Sequence, residues 1–190
     1  MAELTLRPAT LADAPAIARV RIESWRATYR GLIPDAYLDN MQVDASTAIW
    51  ERVLGAASPV ASVFVVAHDE TVVGFAAGNR LAEPKHDHDA ELTAVYLRPD
   101  FQRAGLGHRL VGAIVEALRA QGAARLIVWT IAGNKPARLF YEQLGGRLVV
   151  EQPFQWEGMD LVEAAYGWDD LPALAAACLT APAPRLATLH

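Results

Sequence analysis

The stretch RPDFQRAGLGHRL, residues 98–110, decides the fold. It follows the β-rich segment AELTAVYL (90–97) and leads into apolar residues at helical spacing. Gly105 and Gly107 therefore stand where a strand ends and a helix begins. The first N–H groups of a helix have no internal partner and carry partial positive charge, so this position favours a phosphate or another anion.

Several kinds of binding site, or a turn without a ligand, could explain this loop. An ATP-type loop requires Gly-Lys-Ser/Thr, but His108 and Arg109 follow Gly107. A dinucleotide loop requires a third glycine and an acidic residue about 20 positions further on. Leu110 and Arg125 stand there instead, which disfavours a nucleotide-dependent oxidoreductase. Another anionic cofactor, or a tight turn without a ligand, stays open at this point.

The composition is that of a folded soluble protein. The 190 residues are 53% hydrophobic and 21% charged, which suits one domain with a substantial core. The formal net charge of −5 disfavours a nucleic acid partner, because binding phosphate backbones needs a basic surface. Cys178 is the single cysteine, and no run approaches the roughly 20 apolar residues of a membrane span. With no recognisable signal peptide, these features predict a cytoplasmic protein without a membrane partner.

The hydrophobic patterns predict an α/β fold. Two β-rich runs, SVFVVAHD and TVVGFAAGNRL, form a predicted hairpin that turns at residues 69–70, and KHDHD (85–89) is predicted to be a polar loop. The element order β-α-α-β-β-β-α-β-α-β-β implies a mixed sheet with helices on both faces. We expect a single domain over 1–171 and an Ala/Pro-rich tail over 172–190, a short helix followed by a mobile end.

Two motifs carry a family resemblance. Gln102-Arg103-x-Gly105-x-Gly107 after a strand resembles the acyl-CoA pyrophosphate loop of the GNAT N-acetyltransferase superfamily, and NKPARLFYEQLGG (134–146) resembles its second signature. AELTAVYLRP, SWRATYRGLIPDAYLDNM and YGWDDL are similar to segments of bacterial members, so the resemblance covers roughly residues 3–171. It implies a GNAT-type α/β fold, with a mostly antiparallel central sheet, one splayed parallel strand pair and helices on both faces.

The resemblance also implies acetyl-CoA as cosubstrate. The backbone amides from Arg103 to His108 would hold the CoA pyrophosphate, and the strand before the loop would pair with the pantetheine arm. Asn134 would bond that arm, although capping its own helix explains it almost as well. The residues implied for this binding are Val95, Leu97, Gln102, Arg103, Ala104, Gly105, Leu106, Gly107, His108, Asn134 and Tyr141.

Acetyl transfer to an amine requires that the amine lose a proton and that the departing thiolate be stabilised. An alkylamine with a pKa near 10.4 is mostly protonated at pH 7, and the departing thiolate leaves faster when it is hydrogen-bonded or protonated. By the resemblance, Tyr141 would assist the thiolate and Glu91 would take the amine proton, directly or through a water. Trp25 and Tyr29 would face the acceptor. Each residue also has a purely structural alternative, as a core aromatic or an exposed strand-end carboxylate.

KHDHD also raises a metal hypothesis. His86 and His88 with Asp87 or Asp89 could ligate zinc, but without a firm third ligand a solvated loop is favoured and no metal is expected. The sequence therefore predicts an acyl-CoA-dependent N-acetyltransferase that acts on a small-molecule or peptide amine. An acyl-CoA-binding regulatory module with little catalysis is the alternative. Dimerisation is common in the family, and the last strand pair is a plausible interface for a homodimer here.

Overall fold

A seven-stranded sheet forms the centre of the molecule in a computed structural model, which describes residues 4–56 and 61–180. The strands are β1 (Leu4–Pro8), β2 (Ser62–His68), β3 (Thr71–Lys85), β4 (His88–Leu97), β5 (Leu126–Ile131), β6 (Arg147–Trp156) and β7 (Met159–Trp168). Their order across the sheet is β1-β2-β3-β4-β5-β7-β6. Among the described strands only β4 and β5 run parallel to each other. The predicted fold class is confirmed.

Helices cover both faces of the sheet. They are α1 (Ala14–Tyr29), α2 (Asp35–Asp39), α3 (Val43–Leu54), α4 (Leu106–Ala120), α5 (Lys135–Gln143) and α6 (Leu171–Leu179). Helices α1 and α3 pack on one face, and α4 with α6 on the other, so each face is buried in its own apolar cluster. None of the described helices is long and apolar enough to cross a membrane.

Helix α6 packs into the core. Leu171, Leu174 and Cys178 are buried in the same apolar cluster as α4. Burial raises the pKa of the Cys178 thiol to about 11, so the thiol is protonated at neutral pH and is a poor nucleophile. The mobile end predicted after this helix lies in 181–190, outside the described residues.

The prediction of a polar loop at 85–89 is wrong. Strands β3 and β4 continue into this segment, and Lys85 pairs with His88. His86 and Asp87, with φ angles of 47° and 64°, form the two-residue turn between them. Positive φ at both central positions matches the right-handed twist of the flanking strands, so a tight hairpin forms even though every residue here is polar or charged.

An ion pair joins β1 to the start of α1. Arg7 donates to both carboxylate oxygens of Asp13, at 2.7 and 2.9 Å, and the Thr10 N–H donates to the same carboxylate at 2.7 Å. The hydrogen bonds from Arg7 are the main cause that lowers the pKa of Asp13 to about 2. The pair therefore stabilises the folded state wherever Asp13 is ionised.

This ion pair makes stability depend on pH. The folded pKa of Asp13 lies below its ordinary value near 3.9, so the contribution is complete above about pH 5 and is lost as pH falls towards 2. We expect Asp13→Asn to lower the free energy of unfolding by about 2 kcal/mol at pH 7 and by less than half as much at pH 2.5. Urea titration at both pH values measures this, with Asp35→Asn as the exposed control. An equal loss at both pH values would contradict the assignment.

Candidate active site

A cleft opens where the parallel strands separate. Strands β4 and β5 are paired only as far as Leu92 and Val128, although β4 runs to Leu97 and β5 to Ile131. A cavity of about 1180 Å³ occupies the gap. From Thr93 onward, the edge of β4 that faces β5 has no strand partner in the described sheet. Such an edge can bind an extended ligand that carries its own amide groups.

A bulge in β4 sets which side chains face the cleft. Ala77 pairs with Ala94 and Gly78 with Leu92, so Thr93 is an extra residue in the ladder. Because of this extra residue, Leu92 and Val95 contact the same apolar cluster, although a regular strand would place them on opposite faces. Val95 lines the cleft, as does Leu97 two residues later, and the pairing of this strand with a pantetheine arm stays a prediction.

The glycine loop lines the cleft and carries free backbone donors. Gly105 and Arg103 have φ angles of 76° and 60°, and these left-handed conformations turn the chain into α4. Arg109 donates its N–H to the Gly105 carbonyl, but the N–H groups from Arg103 to His108 have no acceptor among the described residues. With the positive end of the helix dipole, these donors are suited to an anion, and the binding of the CoA pyrophosphate there stays a prediction.

The side chains of the loop differ in their environment. Gln102 donates to the Leu97 carbonyl at 3.1 Å and ties the loop to the end of β4. A Cβ on Gly107 would lie 3.3 Å from the Phe140 ring, so this glycine lets α4 pack closely against α5. Burial lowers the pKa of His108, which is therefore neutral at pH 7. The predicted loop residues that line the cleft are Gln102, Arg103, Gly105, Gly107 and His108, while Ala104 and Leu106 are buried in the core.

Helix α5 carries the predicted thiolate partner. Asn134 accepts the N–H of Ala137 at 3.3 Å, so it does cap α5, and it also lines the cleft. Tyr141 is only 6% exposed and lines the same cleft. Burial, and then the nearby Tyr96, raise the pKa of Tyr141, so its hydroxyl is protonated at neutral pH and can donate a hydrogen bond.

Strand β7 holds this helix in place. The Tyr166 hydroxyl donates to Glu142 at 2.7 Å and accepts from Arg138 at 2.9 Å. Trp168 donates its indole N–H to the Leu144 carbonyl at 2.9 Å. Sequence analysis did not single out Tyr166 or Arg138, because an aromatic residue in an apolar strand and an arginine on a helix give no signal of this partnership.

The carboxylate of Glu91 is engaged by a neighbouring cation. It accepts a hydrogen bond from Lys85 Nζ at 2.7 Å, across the β3–β4 hairpin. Glu91 is not among the described residues that line the cleft. A proton could therefore reach it from the cleft only through a bridging water. Its role as a base stays a prediction.

Helix α1 also lines the cleft. Tyr29 is 7% exposed and lines the cleft, together with Ser24 and Thr28. Trp25 packs on Tyr29 with ring centroids 4.9 Å apart but does not line the described cavity. Of the two predicted acceptor residues, Tyr29 borders the cleft and Trp25 supports it. Tyr96 of β4 also lines the cleft and was missed, because the bulge at Thr93 hides which face of the strand it occupies.

The residues KHDHD (85–89) form the β3–β4 hairpin and contact the start of β5. In the part of the chain that the structure describes, no group of three or more His, Cys, Asp or Glu side chains is arranged to hold a metal ion. Asp89 accepts the N–H groups of Ala124 and Arg125 at 2.9–3.2 Å and so fixes the start of β5 beside β4.

The comparisons with known proteins match this geometry. The model of the family described as Acetyltransferase (GNAT) matches residues 21–146, which include both motifs and most of the cleft. The chain belongs to the GNAT family. It is an acyl-CoA-dependent acetyltransferase. The uncharacterised N-acetyltransferase YuaI of Bacillus subtilis (strain 168) is 35% identical over 173 residues, which are 90% of this chain and 96% of YuaI.

Solved structures share the GNAT fold. The PaiA N-acetyltransferase from Thermoplasma acidophilum, in complex with coenzyme A, has a TM-score of 0.69 at 19% identity and covers 85% of this chain and 98% of its own. YncA from Salmonella typhimurium, with its cofactor acetyl-CoA, has a TM-score of 0.65 at 21% identity. The match covers 88% of this chain and 94% of the YncA chain. At these identities the likeness establishes the sheet and helix arrangement of the GNAT family.

Proposed function

We propose that this GNAT enzyme transfers the acetyl group of acetyl-CoA directly to a primary amine of a small molecule or peptide. One observation carries the proposal: a single cleft is bordered by the free N–H groups of 103–108, the unpaired edge of β4 and the Tyr141 hydroxyl. Acetyl-CoA has a pyrophosphate, an arm with amide groups and a thioester, so it offers one chemical group for each of these three features. The CoA and acetyl-CoA found with PaiA and YncA support this cosubstrate.

In this proposal, Tyr141 assists the leaving thiolate. A thiol with a pKa near 8.5 departs largely as a thiolate, and a hydrogen bond from a neutral phenol lowers the barrier to breaking the C–S bond. Burial keeps the pKa of Tyr141 above its ordinary value, so the donor form persists at working pH. Asn134, which lies beside the cleft and caps α5, would bond the pantetheine arm with its amide nitrogen.

Glu91 is retained as the proposed base. Its carboxylate accepts a hydrogen bond from Lys85, and in this proposal it takes the amine proton through a water, which is the longer of the two routes that the sequence suggested. An assay of amine-dependent thiol release from acetyl-CoA, in which Glu91→Gln is compared with the wild type, tests this role. Unchanged activity in that variant would exclude it.

Two further proposals concern the cellular location and the oligomeric state of the enzyme. We infer a cytoplasmic location from the single cysteine, and a homodimer from the last strand pair. Strand β6 is an edge of the described sheet, and Leu148, Val149 and Val162 on β6 and β7 are exposed, which supports an interface there. Size-exclusion chromatography with light scattering tests the dimer, and a monomer at micromolar concentration would contradict it.

Ligand-induced stabilisation tests the cosubstrate. We expect acetyl-CoA at 100 times its Kd to stabilise the fold by about 2.7 kcal/mol, seen as a rise in Tm, with no rise for NADH or ATP. An amine-dependent release of free thiol then tests the transfer itself. Stabilisation by NADH instead, or no stabilisation by acetyl-CoA, would overturn the assignment of the loop.

A further inference from the structure

A buried hydroxyl on β5 borders the cleft without a partner in the protein. Thr130 is only 7% exposed, and it lines the cleft beyond the point where β4 and β5 separate. Its hydroxyl makes no hydrogen bond within the part of the chain that the structure describes. Trp25 Nε1 is the one side-chain polar atom of the described residues that is both fully enclosed and unpaired, so the Thr130 oxygen keeps access to the cleft.

Strand pairing shows which face of the sheet carries this hydroxyl. Thr130 lies directly opposite Ala164 of β7, and side chains directly opposite each other in an antiparallel pair lie on the same face. Ala164 is buried in the apolar cluster that also contains residues of α4 and Tyr141 of α5. The Thr130 side chain therefore lies on the face covered by α4 and α5, and not on the face covered by α1 and α3.

The packing of β5 does not require a hydroxyl at this position. Val128, two residues earlier on the same face, is buried in the same apolar cluster. Valine has nearly the shape of threonine, and a buried hydroxyl without a partner costs free energy. Ser24, another buried hydroxyl residue that lines the cleft, differs because it donates to the Leu97 carbonyl at 2.9 Å. The Thr130 hydroxyl is therefore available to a ligand.

The position of Thr130 along the cleft indicates which part of a ligand it meets. Strands β4 and β5 run in the same direction, their pairing ends at Leu92 and Val128, and the glycine loop follows the end of β4. Thr130 therefore lies about 7 Å beyond the last strand pair, on the side of the loop. The Tyr141 ring lies nearer to that last pair, since it is 6.1 Å from the ring of Tyr166, the strand partner of Val128.

We propose that the Thr130 hydroxyl hydrogen-bonds the amide of the pantetheine arm that lies nearest the sulfur, and so helps to hold the thioester beside Tyr141. This inference rests on acetyl-CoA binding as in the proposed function. An arm that runs from the loop towards Tyr141 passes Thr130 just before its sulfur, where a short ethylene link joins the sulfur to an amide. A threonine hydroxyl both donates and accepts, so it suits either the N–H or the carbonyl of that amide.

Two variants separate the hydroxyl of Thr130 from its methyl group. Thr130→Val keeps the shape and removes the hydroxyl, and we expect it to raise the Kd for acetyl-CoA about tenfold without lowering the Tm of the ligand-free protein. Thr130→Ser keeps the hydroxyl and removes the methyl group. We expect its Kd to stay within about twofold of the wild-type value and its Tm to fall by about 3 °C. Isothermal titration and thermal unfolding measure these changes.

Three ligands then locate the contact. Acetyl-CoA and CoA both carry the pantetheine arm, whereas ADP phosphorylated on its ribose, the nucleotide part of CoA, has the pyrophosphate but no arm. We expect Thr130→Val to weaken binding of acetyl-CoA and CoA equally and to leave binding of the nucleotide unchanged. Weaker binding of acetyl-CoA alone would place the hydroxyl at the acetyl group, and weaker binding of all three ligands would indicate a general disturbance of the cleft. Either result, or unchanged Kd values, would overturn the inference.

The outcomes also separate this inference from the proposed function. The expected losses of affinity in an enzyme that transfers acetyl to no amine would overturn the proposed transfer and leave the inference intact. Normal transfer by the wild type, together with an unchanged Kd in Thr130→Val, would overturn the inference and leave the proposed function intact. A wild-type protein that binds no acetyl-CoA would overturn both.

Discussion

Replacing Tyr141 by phenylalanine is expected to lower kcat roughly a hundredfold and to leave acetyl-CoA binding unchanged. The expectation follows from the place of Tyr141 on the cleft wall and from the raised pKa that keeps its hydroxyl protonated. A positioned proton donor contributes typically 10²–10⁴-fold to a rate, and a hydrogen bond to the leaving sulfur belongs at the lower end of that range. Steady-state kinetics with saturating acetyl-CoA, and the Tm shift with acetyl-CoA, measure the two effects separately.

The matched control for this variant is Tyr166→Phe. Tyr166 is a buried tyrosine 6.1 Å from Tyr141 between ring centroids, but its hydroxyl is used by Glu142 and Arg138 and it does not border the described cleft. Its loss should cost about 1 kcal/mol of stability and much less activity than Tyr141→Phe, because the Trp168 bond to the Leu144 carbonyl still holds α5 on β7. Equal kcat losses in the two variants would mean that Tyr141 acts only through packing. A fall in wild-type kcat below pH 10 from ionisation of Tyr141 would contradict its raised pKa.

For the two glycines of the loop, the sequence predicted one structural role and missed another. Their position between strand and helix correctly predicted a row of free amides at a helix N-terminus. The same argument gave both glycines one role, close approach of an anion. In the structure Gly105 supplies a positive φ, whereas Gly107 makes room for Phe140 of α5. The second role depends on a tertiary contact between distant segments, which local sequence does not encode.

The sequence does not reveal on which face of β4 each side chain lies. Alternation along a strand assigns faces only when the strand is regular, and the extra residue at Thr93 reverses the alternation within the cleft. Sequence analysis consequently missed Tyr96. It did not foresee the pair between Glu91 and Lys85 because it took residues 85–89 for a loop, whereas they form a tight hairpin. Asn134 and Tyr141, which the family motifs singled out, both line the cleft, Asn134 as the cap of α5 and Tyr141 on the helix itself, while their roles stay predictions.

Replacing Gly105 by valine is expected to weaken acetyl-CoA binding about a hundredfold. A β-branched residue is strained at a φ of 76°, by about 1–2 kcal/mol, and relief of that strain would rotate the amides at the start of α4 away from the cleft. Loss of two hydrogen bonds to a charged pyrophosphate, at about 1.5 kcal/mol each, corresponds to about a hundredfold in Kd. Isothermal titration of the variant with acetyl-CoA measures this change.

Gly158→Val separates the local effect from general destabilisation. Gly158 has a similar φ of 75° and lies in the turn between β6 and β7, where a Cβ would meet no described atom within 4 Å. Both variants should lose comparable stability because both place valine in the left-handed region. Only Gly105→Val should lose affinity, since only its amides belong to the anion site. If the two variants bind acetyl-CoA equally well, the loop does not hold the pyrophosphate through its backbone, and the glycines of this stretch serve the turn alone.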